Sequence, residues 1–219
     1  MGLLIGILQA FLMLILFLLN WPQDSLPFIG IAFNLWITGG MHFDGLIDTA
    51  DGISAGPKKC LEAMKDSRVG ASGVIALTIN IALQLAALNK LGLFYLFALP
   101  IASFWGRYSQ LIAIGNYPSI QKESSSDFHR DNWKGNMKES IPSLIIILLL
   151  IFFITFASLS YYLKICLIIA SLIGIIPSIM IPYFLARRIG GHSGDSYGAS
   201  VVLVETFLLV SLAFILPGN

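Results

Sequence analysis

Three aspartates, Asp44, Asp48 and Asp51, follow one another at intervals of four and three residues in a glycine-flanked segment. At about 100° per residue, this spacing places the three carboxylates on one face of a helix. Carboxylates that converge without an intervening lysine repel one another unless a cation lies between them. The segment therefore predicts a site for a divalent metal ion.

The ligand types indicate which metal this face would hold. Oxygen donors, with one nearby histidine (His42) and no cysteine in the segment, suit a hard ion. Magnesium commonly binds a few carboxylates together with waters and substrate phosphates. We therefore expect Mg²⁺ rather than Zn²⁺ as the cofactor. The alternative is a solvated acidic helix face at a membrane edge that binds no ligand.

A second polar element, residues 64–70, reads MKDSRVG and places Asp66 between two cations. Lys65 and Arg68 can hold phosphate oxygens, as a point charge and as a bidentate fork respectively. Asp66 could complete the metal shell. The alternative is that both cations only anchor the chain at the cytoplasmic face of a membrane, as basic residues commonly do. Their proximity to the aspartate segment favours the phosphate interpretation.

A third polar segment, residues 187–199, is rich in glycine. Glycines let the backbone approach a ligand closely, and such a turn before a helix N-terminus commonly presents amide hydrogens to phosphate. We expect Asp195 in this segment to orient a hydroxyl or to bind a second ion. A flexible connector would explain the glycines almost as well.

Two ionisable residues, Arg107 and Glu205, fall inside apolar segments. Charged groups at membrane depth usually face the interior of a helix bundle and are functional, so we expect this pair to lie inside the bundle and to interact. The predicted catalytic residues are Asp44, Asp48, Asp51, Asp66 and Asp195, and the first four of these are also the predicted metal ligands. The predicted substrate-binding residues are His42, Lys65, Arg68, Arg107, Arg188, Gly190, Gly191, Ser193, Gly194 and Glu205.

The elements that must position these residues are transmembrane helices. The 219-residue chain is 57% hydrophobic and 11% charged, whereas soluble domains carry about 25% charged residues. The prediction is an all-α, polytopic membrane helix bundle that forms a single domain over residues 1–219, with the aspartate segment as a short amphipathic helix at one face. Because a span needs about 20 apolar residues, we predict six or seven spans, near residues 2–19, 27–41, 70–89, 91–114, 141–160, 164–182 and 199–217.

Three longer polar stretches, residues 42–69, 115–140 and 183–198, separate these spans. Seven spans that begin in the cytoplasm would place all three stretches on the cytoplasmic side, together with ten of the thirteen basic residues. The candidate site is therefore expected to face the cytoplasm. A net charge of +1 gives no overall field that would attract nucleic acid, so none is expected as a partner.

Together, the phrases GGMHFDGLIDTADG, MKDSRVG and GGHSGDSYGA, in this order among hydrophobic spans, resemble the cobalamin synthase family of adenosylcobinamide-GDP ribazoletransferases. The family patterns are GGLHLDGLADTADG, MKDSRxG and GGxTGDxxGA, and the resemblance covers nearly the whole chain. Ser193 stands where the family usually has threonine, and residues 115–140 do not follow the family pattern. Family chains also usually carry a further segment before the first span.

The resemblance implies a magnesium-dependent transferase that acts late in cobalamin biosynthesis. Such an enzyme transfers the cobinamide phosphate of adenosylcobinamide-GDP to the ribose hydroxyl of α-ribazole or α-ribazole 5′-phosphate, and it releases GMP. The product is adenosylcobalamin or its 5′-phosphate. The implied partners are the two substrates and the lipid bilayer of a bacterial cytoplasmic (inner) membrane. A homo-oligomer, or association with other corrinoid-pathway enzymes, stays open.

Three other functions also stay open. CDP-alcohol phosphotransferases and aspartate-rich prenyltransferases likewise hold carboxylates and metal against a diphosphate at a membrane face. The former need an AR pair at a set distance after Asp44-Gly45, and the latter need two aspartate-rich helices; neither feature is evident in the sequence. An ion or proton transporter could use Asp, Arg and Glu side chains as its pathway, but it would leave the glycine-rich segment and the MKDSRVG element unexplained.

Overall fold

The computed structural model describes residues 2–120, 135–157 and 159–217. Within these ranges the regular secondary structure is helical, apart from an isolated β-bridge between Ser119 and His192, which confirms the predicted all-α class. Short 3₁₀ turns lie at Gln23–Ser25 and Gly92–Phe94. The helices are α1 (Gly2–Leu18), α2 (Leu26–Ile37), α3 (Met41–Ser54), α4 (Cys60–Ala63), α5 (Ala71–Leu91), α6 (Tyr95–Asn116), α7 (Asn136–Phe156), α8 (Tyr161–Leu172), α9 (Ile175–Ile189) and α10 (Gly194–Ile215).

Four helical stretches of the described chain are long and apolar enough to cross a membrane: Ala71–Asn116, Lys138–Phe156, Tyr161–Ile189 and Gly194–Ile215. The α2–α3 pair, which is bent by 89°, would make a fifth if it counts as one span. Helix α1, with 17 residues, is shorter. These lengths are compatible with a polytopic membrane bundle, although the count of stretches is lower than the predicted six or seven spans.

The 46-residue stretch Ala71–Asn116 is a helical hairpin. Helices α5 and α6 both pack on α10, where Gln84 bonds to Thr206 and Gly106 lies against Glu205. Because the two contacts reach adjacent positions of α10 from either side of the 3₁₀ turn, α5 and α6 must run in opposite directions. Their lengths of 21 and 22 residues would each suffice for a span. The single stretch Ala71–Asn116 therefore corresponds to the two spans predicted at residues 70–89 and 91–114.

The predicted span at residues 164–182 lies within the apolar stretch Tyr161–Ile189, in which two helices follow each other. Helix α8 ends at Leu172, and α9 begins at Ile175. At their junction, Gly174 packs against the indole of Trp105, where an added Cβ would lie 2.2 Å from ring atoms. The same indole donates a 2.9 Å hydrogen bond to the carbonyl oxygen of Ser171. Trp105 of α6 therefore packs against the junction of α8 and α9, a contact that hydropathy does not report.

Helix α10 is the central helix of the bundle. Its side chains Val202, Val204, Leu208 and Leu212 are fully buried, and helices α3, α5, α6 and α9 pack around it. The peripheral helix α7, in contrast, exposes large apolar side chains such as Phe153, as expected of a surface that faces lipid. The central position of α10 places Asp195, in its first turn, and Glu205, in its middle, among the other helices.

Helix α3 confirms the predicted acidic helix. Gly39 and Gly40 precede it with φ angles of 61° and 70°, a conformation that glycine adopts without a steric penalty, and they turn the chain sharply away from α2. The apolar face of α3 is buried against α9 and α10 through a cluster of Phe43, Leu46, Leu185, Ala199 and Val202. Burial of this face fixes the orientation of the carboxylates on the rest of the helix.

Candidate active site

The first turns of α10 lie directly against α3. An added Cβ at Gly45 would lie 2.4 Å from the carbonyl oxygen of Asp195. At Gly198 an added Cβ would lie 3.1 Å from the Cα of His42. These two close approaches bring Asp195, from the third polar segment, to the aspartate helix from the first.

Asp48 lies among the carboxylates that this contact assembles. Burial, followed by the negative charges of Asp44, Asp195 and Asp51, raises the pKa of Asp48 to about 6. The charges that shift this group are all carboxylates, so a cation bound among them would relieve their repulsion. Asp44 is exposed, whereas Asp48 and Asp195 are half-buried. Asp195 thus joins Asp44 and Asp48 although about 150 residues separate it from them in the sequence.

Asp51 turns towards the start of α5. Its Oδ2 accepts a 2.7 Å hydrogen bond from the backbone N–H of Gly70, and its Oδ1 accepts one of 2.8 Å from Gly73. Both carboxylate oxygens therefore already have backbone partners. The predicted shared helix face is present, but its last carboxylate is held by another helix.

Asp66 and Arg68 of the MKDSRVG element pair with each other. The guanidinium Nη2 lies 2.7 Å from Asp66 Oδ2, and the backbone N–H of Arg68 donates to Asp66 Oδ1 at 3.0 Å. These hydrogen bonds from Arg68 lower the pKa of Asp66 to about 2. The Arg68 side chain is 87% exposed and Lys65 is also exposed, so both cations are accessible to an anionic ligand.

The predicted set of four metal ligands does not meet around one point. Among the described residues, no three His, Cys, Asp or Glu side chains converge closely enough to hold a metal ion. Magnesium does not require such a set, because it commonly binds one or two carboxylates and fills its other positions with waters and substrate phosphates. The oxygen donors of Asp44 and Asp48 fit magnesium in this way, because the charges of described residues that shift the pKa of Asp48 are all carboxylates.

The glycine-rich segment forms the predicted turn into a helix N-terminus. Gly190 ends α9 with a φ of 91°, and Ser193 caps α10 in a capping box with Ser196. Gly191, with a φ of 152°, approaches the carbonyl oxygen of Pro118, which an added Cβ would meet at 2.6 Å. The close approach at Gly191 is therefore to the protein itself. Gly194 and Arg188 are exposed beside this turn.

His192, which the sequence analysis did not select, is fully buried in this turn. Its Nδ1 lies 2.9 Å from Ser196 Oγ, its Nε2 lies 3.1 Å from the carbonyl oxygen of Pro182, and its ring stacks on Tyr197. Burial lowers the pKa of His192 to about 4, so the ring is neutral at physiological pH. His192 therefore joins the turn to both α9 and α10.

Arg107, Glu205 and His42 form a polar group in which Glu205 is buried and the other two are half-buried. Glu205 is buried between α6 and α10, Arg107 interacts with it electrostatically, and the Arg107 guanidinium contacts the imidazole of His42. Burial and the charge of Arg107 lower the pKa of His42 to about 4. A cavity of about 10 Å³ adjoins the three side chains, which is room for about one water. The predicted interior location and interaction of Arg107 and Glu205 are present.

Three glycines that position the site were missed in the sequence. The missing side chain of Gly45 lets α10 approach α3 closely, and those of Gly70 and Gly73 leave room for the Asp51 carboxylate. Gly70 and Gly73 are the N-cap and N3 positions of α5. Side chains of a capping box usually satisfy the amides at these two positions, and glycine offers no such side chain. Gly45 carries no comparable local signal, because its partner lies in a distant segment.

Comparison with known proteins gives a family for the chain. Residues 1–213 match the family model described as cobalamin-5-phosphate synthase. A protein of Prochlorococcus marinus strain SARG is 59% identical over 219 residues, which cover 100% of this chain and 85% of the relative. A protein of Prochlorococcus marinus strain MIT 9313 is 43% identical, with 100% and 85% covered, and one of Trichormus variabilis is 30% identical, with 98% and 84% covered.

All three relatives are named adenosylcobinamide-GDP ribazoletransferase. No solved structure matches the chain. The match over nearly the full length confirms the resemblance seen in the three motifs. The chain belongs to the cobalamin-5-phosphate synthase family.

Proposed function

We propose that this chain joins adenosylcobinamide-GDP to α-ribazole or α-ribazole 5′-phosphate, giving adenosylcobalamin or its 5′-phosphate and GMP. The family and the name of the relatives support a transferase of nucleotide-loop assembly in cobalamin biosynthesis. At the site itself, the packing of two helices supports the proposal. The helix start that bears Asp195 packs on the helix that bears Asp44 and Asp48, so the first and third motifs form one surface.

Asp44 and Asp48 would hold a magnesium ion at this surface, with Asp195 as the adjacent third carboxylate. When bound, the ion would neutralise charge on the diphosphate and on the departing GMP. Metal binding would also relieve the mutual repulsion of these carboxylates. In this proposal Asp51 and Asp66 lie outside the metal shell, because Gly70, Gly73 and Arg68 already occupy their oxygens.

Lys65 and Arg68 would bind the diphosphate from the adjoining element. Arg68 is exposed and would exchange the Asp66 carboxylate for phosphate oxygens, to which its planar fork is equally suited. The N-terminus of α10 faces the same surface with the exposed Gly194, and a helix N-terminus favours negative charge. The chain therefore offers positive groups on two sides of the carboxylates.

The transfer itself needs a proton acceptor. The oxygen of the ribose hydroxyl attacks the phosphorus that carries cobinamide, the bond from that phosphorus to the oxygen of GMP breaks, and GMP leaves with that oxygen. Asp195 would accept the hydroxyl proton, since its carboxylate adjoins the metal-binding pair from a different helix. A general base must lie within hydrogen-bond reach of the proton that it takes, and the first turn of α10 is a rigid support for it.

We also propose that the site faces the cytoplasm from a bacterial inner membrane. The polar segments that contain these carboxylates also contain basic residues, namely Lys58, Lys59, Lys65, Arg68, Arg187 and Arg188. Such an excess of lysine and arginine is typical of the cytoplasmic side of a membrane protein. Association with itself or with other corrinoid-pathway enzymes would take place within this membrane.

The proposal is tested by incubating the purified protein in nanodiscs with Mg²⁺, adenosylcobinamide-GDP and α-ribazole, and by measuring GMP and the corrinoid product. We expect GMP to form with the wild type, and to fall to the background level with Asp48→Asn. Asp24→Asn, the same change at an exposed aspartate between α1 and α2, is the matched control and should keep full activity. Absence of GMP with the wild type, together with ion flux in vesicles, would contradict the transferase proposal and favour a transporter.

A further inference from the structure

The Asp51 carboxylate closes the start of α5. Its two oxygens accept hydrogen bonds from Gly70, the N-cap residue, and from Gly73, the third residue of the helix. In a capping box the N-cap side chain satisfies the N3 amide, and the N3 side chain satisfies the N-cap amide. Gly70 has no side chain, and α5 has no side-chain cap of its own. A distant helix therefore supplies the cap.

The two glycines are necessary for this arrangement. An added Cβ at Gly70 would lie 2.4 Å from Asp51 Oδ1, and one at Gly73 would lie 2.6 Å from Asp51 Oδ2. Real Cβ atoms do not approach other atoms so closely, so any side chain at either position would displace the carboxylate. Gly70 is thus explained by Asp51, and Gly73 by Asp51 together with Ile47, without any ligand.

Asp51 and Asp48 differ in their surroundings although they share a helix face. Asp48 lies among carboxylates, with Asp195 and Asp44 close to it. Asp51 faces the positive end of the α5 dipole and two backbone donors, which already stabilise its charge. A cation is therefore not needed to offset the charge of Asp51.

We infer that Asp51 is a positioning residue, which ties α5 and the preceding MKDSRVG element to the aspartate helix, and that it does not bind the metal. Arg68 is only two residues from Gly70, so the Asp51–Gly70 bond fixes the point from which Arg68 and Lys65 reach outwards. The inference rests on the proposed function for the role of these two cations. The cap itself is independent of that function.

The test compares Asp51→Ser, Asp51→Ala and Asp48→Asn in the full chain. Thermal unfolding with EDTA measures the cap, Mn²⁺ binding followed by electron paramagnetic resonance measures the metal site, and steady-state kinetics separate KM from kcat. We expect Asp51→Ala to lower the metal-free midpoint by about 4 °C and to leave Mn²⁺ affinity unchanged. Asp51→Ser should recover part of this loss, because a hydroxyl caps a helix but is a poor substitute for a carboxylate ligand.

The matched variant, Asp48→Asn, should show the reverse pattern, with no loss of metal-free midpoint and Mn²⁺ binding weakened by about tenfold or more. Among the Asp51 variants that retain activity, KM for adenosylcobinamide-GDP should rise more than kcat falls, because the diphosphate-binding cations are displaced. Loss of Mn²⁺ affinity in Asp51→Ser, with an unchanged metal-free midpoint, would make Asp51 a ligand and overturn the inference.

Gly70→Ala gives a second measurement, since the three atoms nearest to its added Cβ all belong to the Asp51 carboxylate, which the substitution crowds without changing. It should lower the metal-free midpoint in the wild-type background and have a smaller effect in Asp51→Ala, where no carboxylate is displaced. Equal effects in both backgrounds would contradict the cap. If the wild type neither binds Mn²⁺ nor releases GMP, the proposed function fails, while the metal-free midpoints still decide whether Asp51 caps α5.

Discussion

Gly45 of α3 lies so close to Asp195 of α10 that a Cβ on the glycine would come within 2.4 Å of the Asp195 carbonyl oxygen. This contact joins the first and third motifs of the chain. It also sets the distance between the Asp195 carboxylate and those of Asp44 and Asp48. The geometry of the carboxylate group therefore depends on a residue that carries no functional group.

Gly45→Ala should separate the two helices, and it should reduce activity more than it reduces the stability of the folded protein. Overpacking of this kind costs about 1–3 kcal/mol, and we expect kcat/KM, measured by GMP release, to fall by at least about tenfold. Ser54→Thr adds a methyl group at an exposed position of the same helix and is the control. Wild-type activity in Gly45→Ala would show that this contact does not set the geometry of the site.

The hydrogen bond from Gln84 of α5 to Thr206 of α10, 2.8 Å long and fully buried, should stabilise the bundle modestly. Interhelical hydrogen bonds in membrane proteins contribute about 0.6 kcal/mol on average, because the separated helices find other partners. A double-mutant cycle of Gln84→Leu and Thr206→Val, measured by unfolding in mixed micelles, should give a coupling of about this size. Strict additivity would mean that the bond makes no net contribution.

Stability should depend on pH through His192. Its folded pKa of about 4 is below its ordinary value of 6.5, so the unfolded chain takes up the proton first. The contribution of the neutral ring to the free energy of unfolding is complete above about pH 6.5 and is lost as the pH falls towards 4. The thermal midpoint of the wild type should therefore decline over this range relative to that of His192→Gln. The contribution of Asp48 is common to both proteins and cancels in the difference; parallel profiles would contradict the prediction.

Asp48→Asn should stabilise the metal-free protein and remove its response to magnesium. The pKa of Asp48 is raised to about 6, so ionisation opposes folding above that pH, and the opposition disappears as the pH falls towards the ordinary value of 3.8. We expect a higher midpoint for the variant near about pH 8 in EDTA, and no difference near about pH 4. With Mg²⁺ at about 100 times its dissociation constant, only the wild type should gain about 2.7 kcal/mol. A wild type insensitive to Mg²⁺ would contradict the proposed metal site.

Several features of the site follow from the sequence because they are local. The spacing of Asp44, Asp48 and Asp51 predicts the acidic helix α3, and the glycines before Ser193 predict the turn into α10. Both predictions depend only on neighbouring residues, whose periodicity and backbone preferences act over one or two helical turns.

The spans show what hydropathy predicts and what it omits. Hydropathy predicts two alternating spans within residues 70–114, and the contacts of α5 and α6 with α10 agree with a reversal of the chain between them. Within the span predicted at residues 164–182, hydropathy does not show that Trp105 of another helix contacts the junction of α8 and α9. Apolar content reports that a segment is buried or faces lipid, and it does not report its neighbours.

Hydropathy, helical periodicity and motif spacing are properties of contiguous residues, and they suffice to predict an all-α membrane protein with three polar motifs. Contacts between distant helices bring Asp195 to Asp44 and Asp48 and turn Asp51 to α5, and the sequence does not show these contacts. Such close contacts form where a side chain is missing and another element can approach the backbone. Gly45 and Gly73 provide those places, and their partners lie in distant segments of the chain.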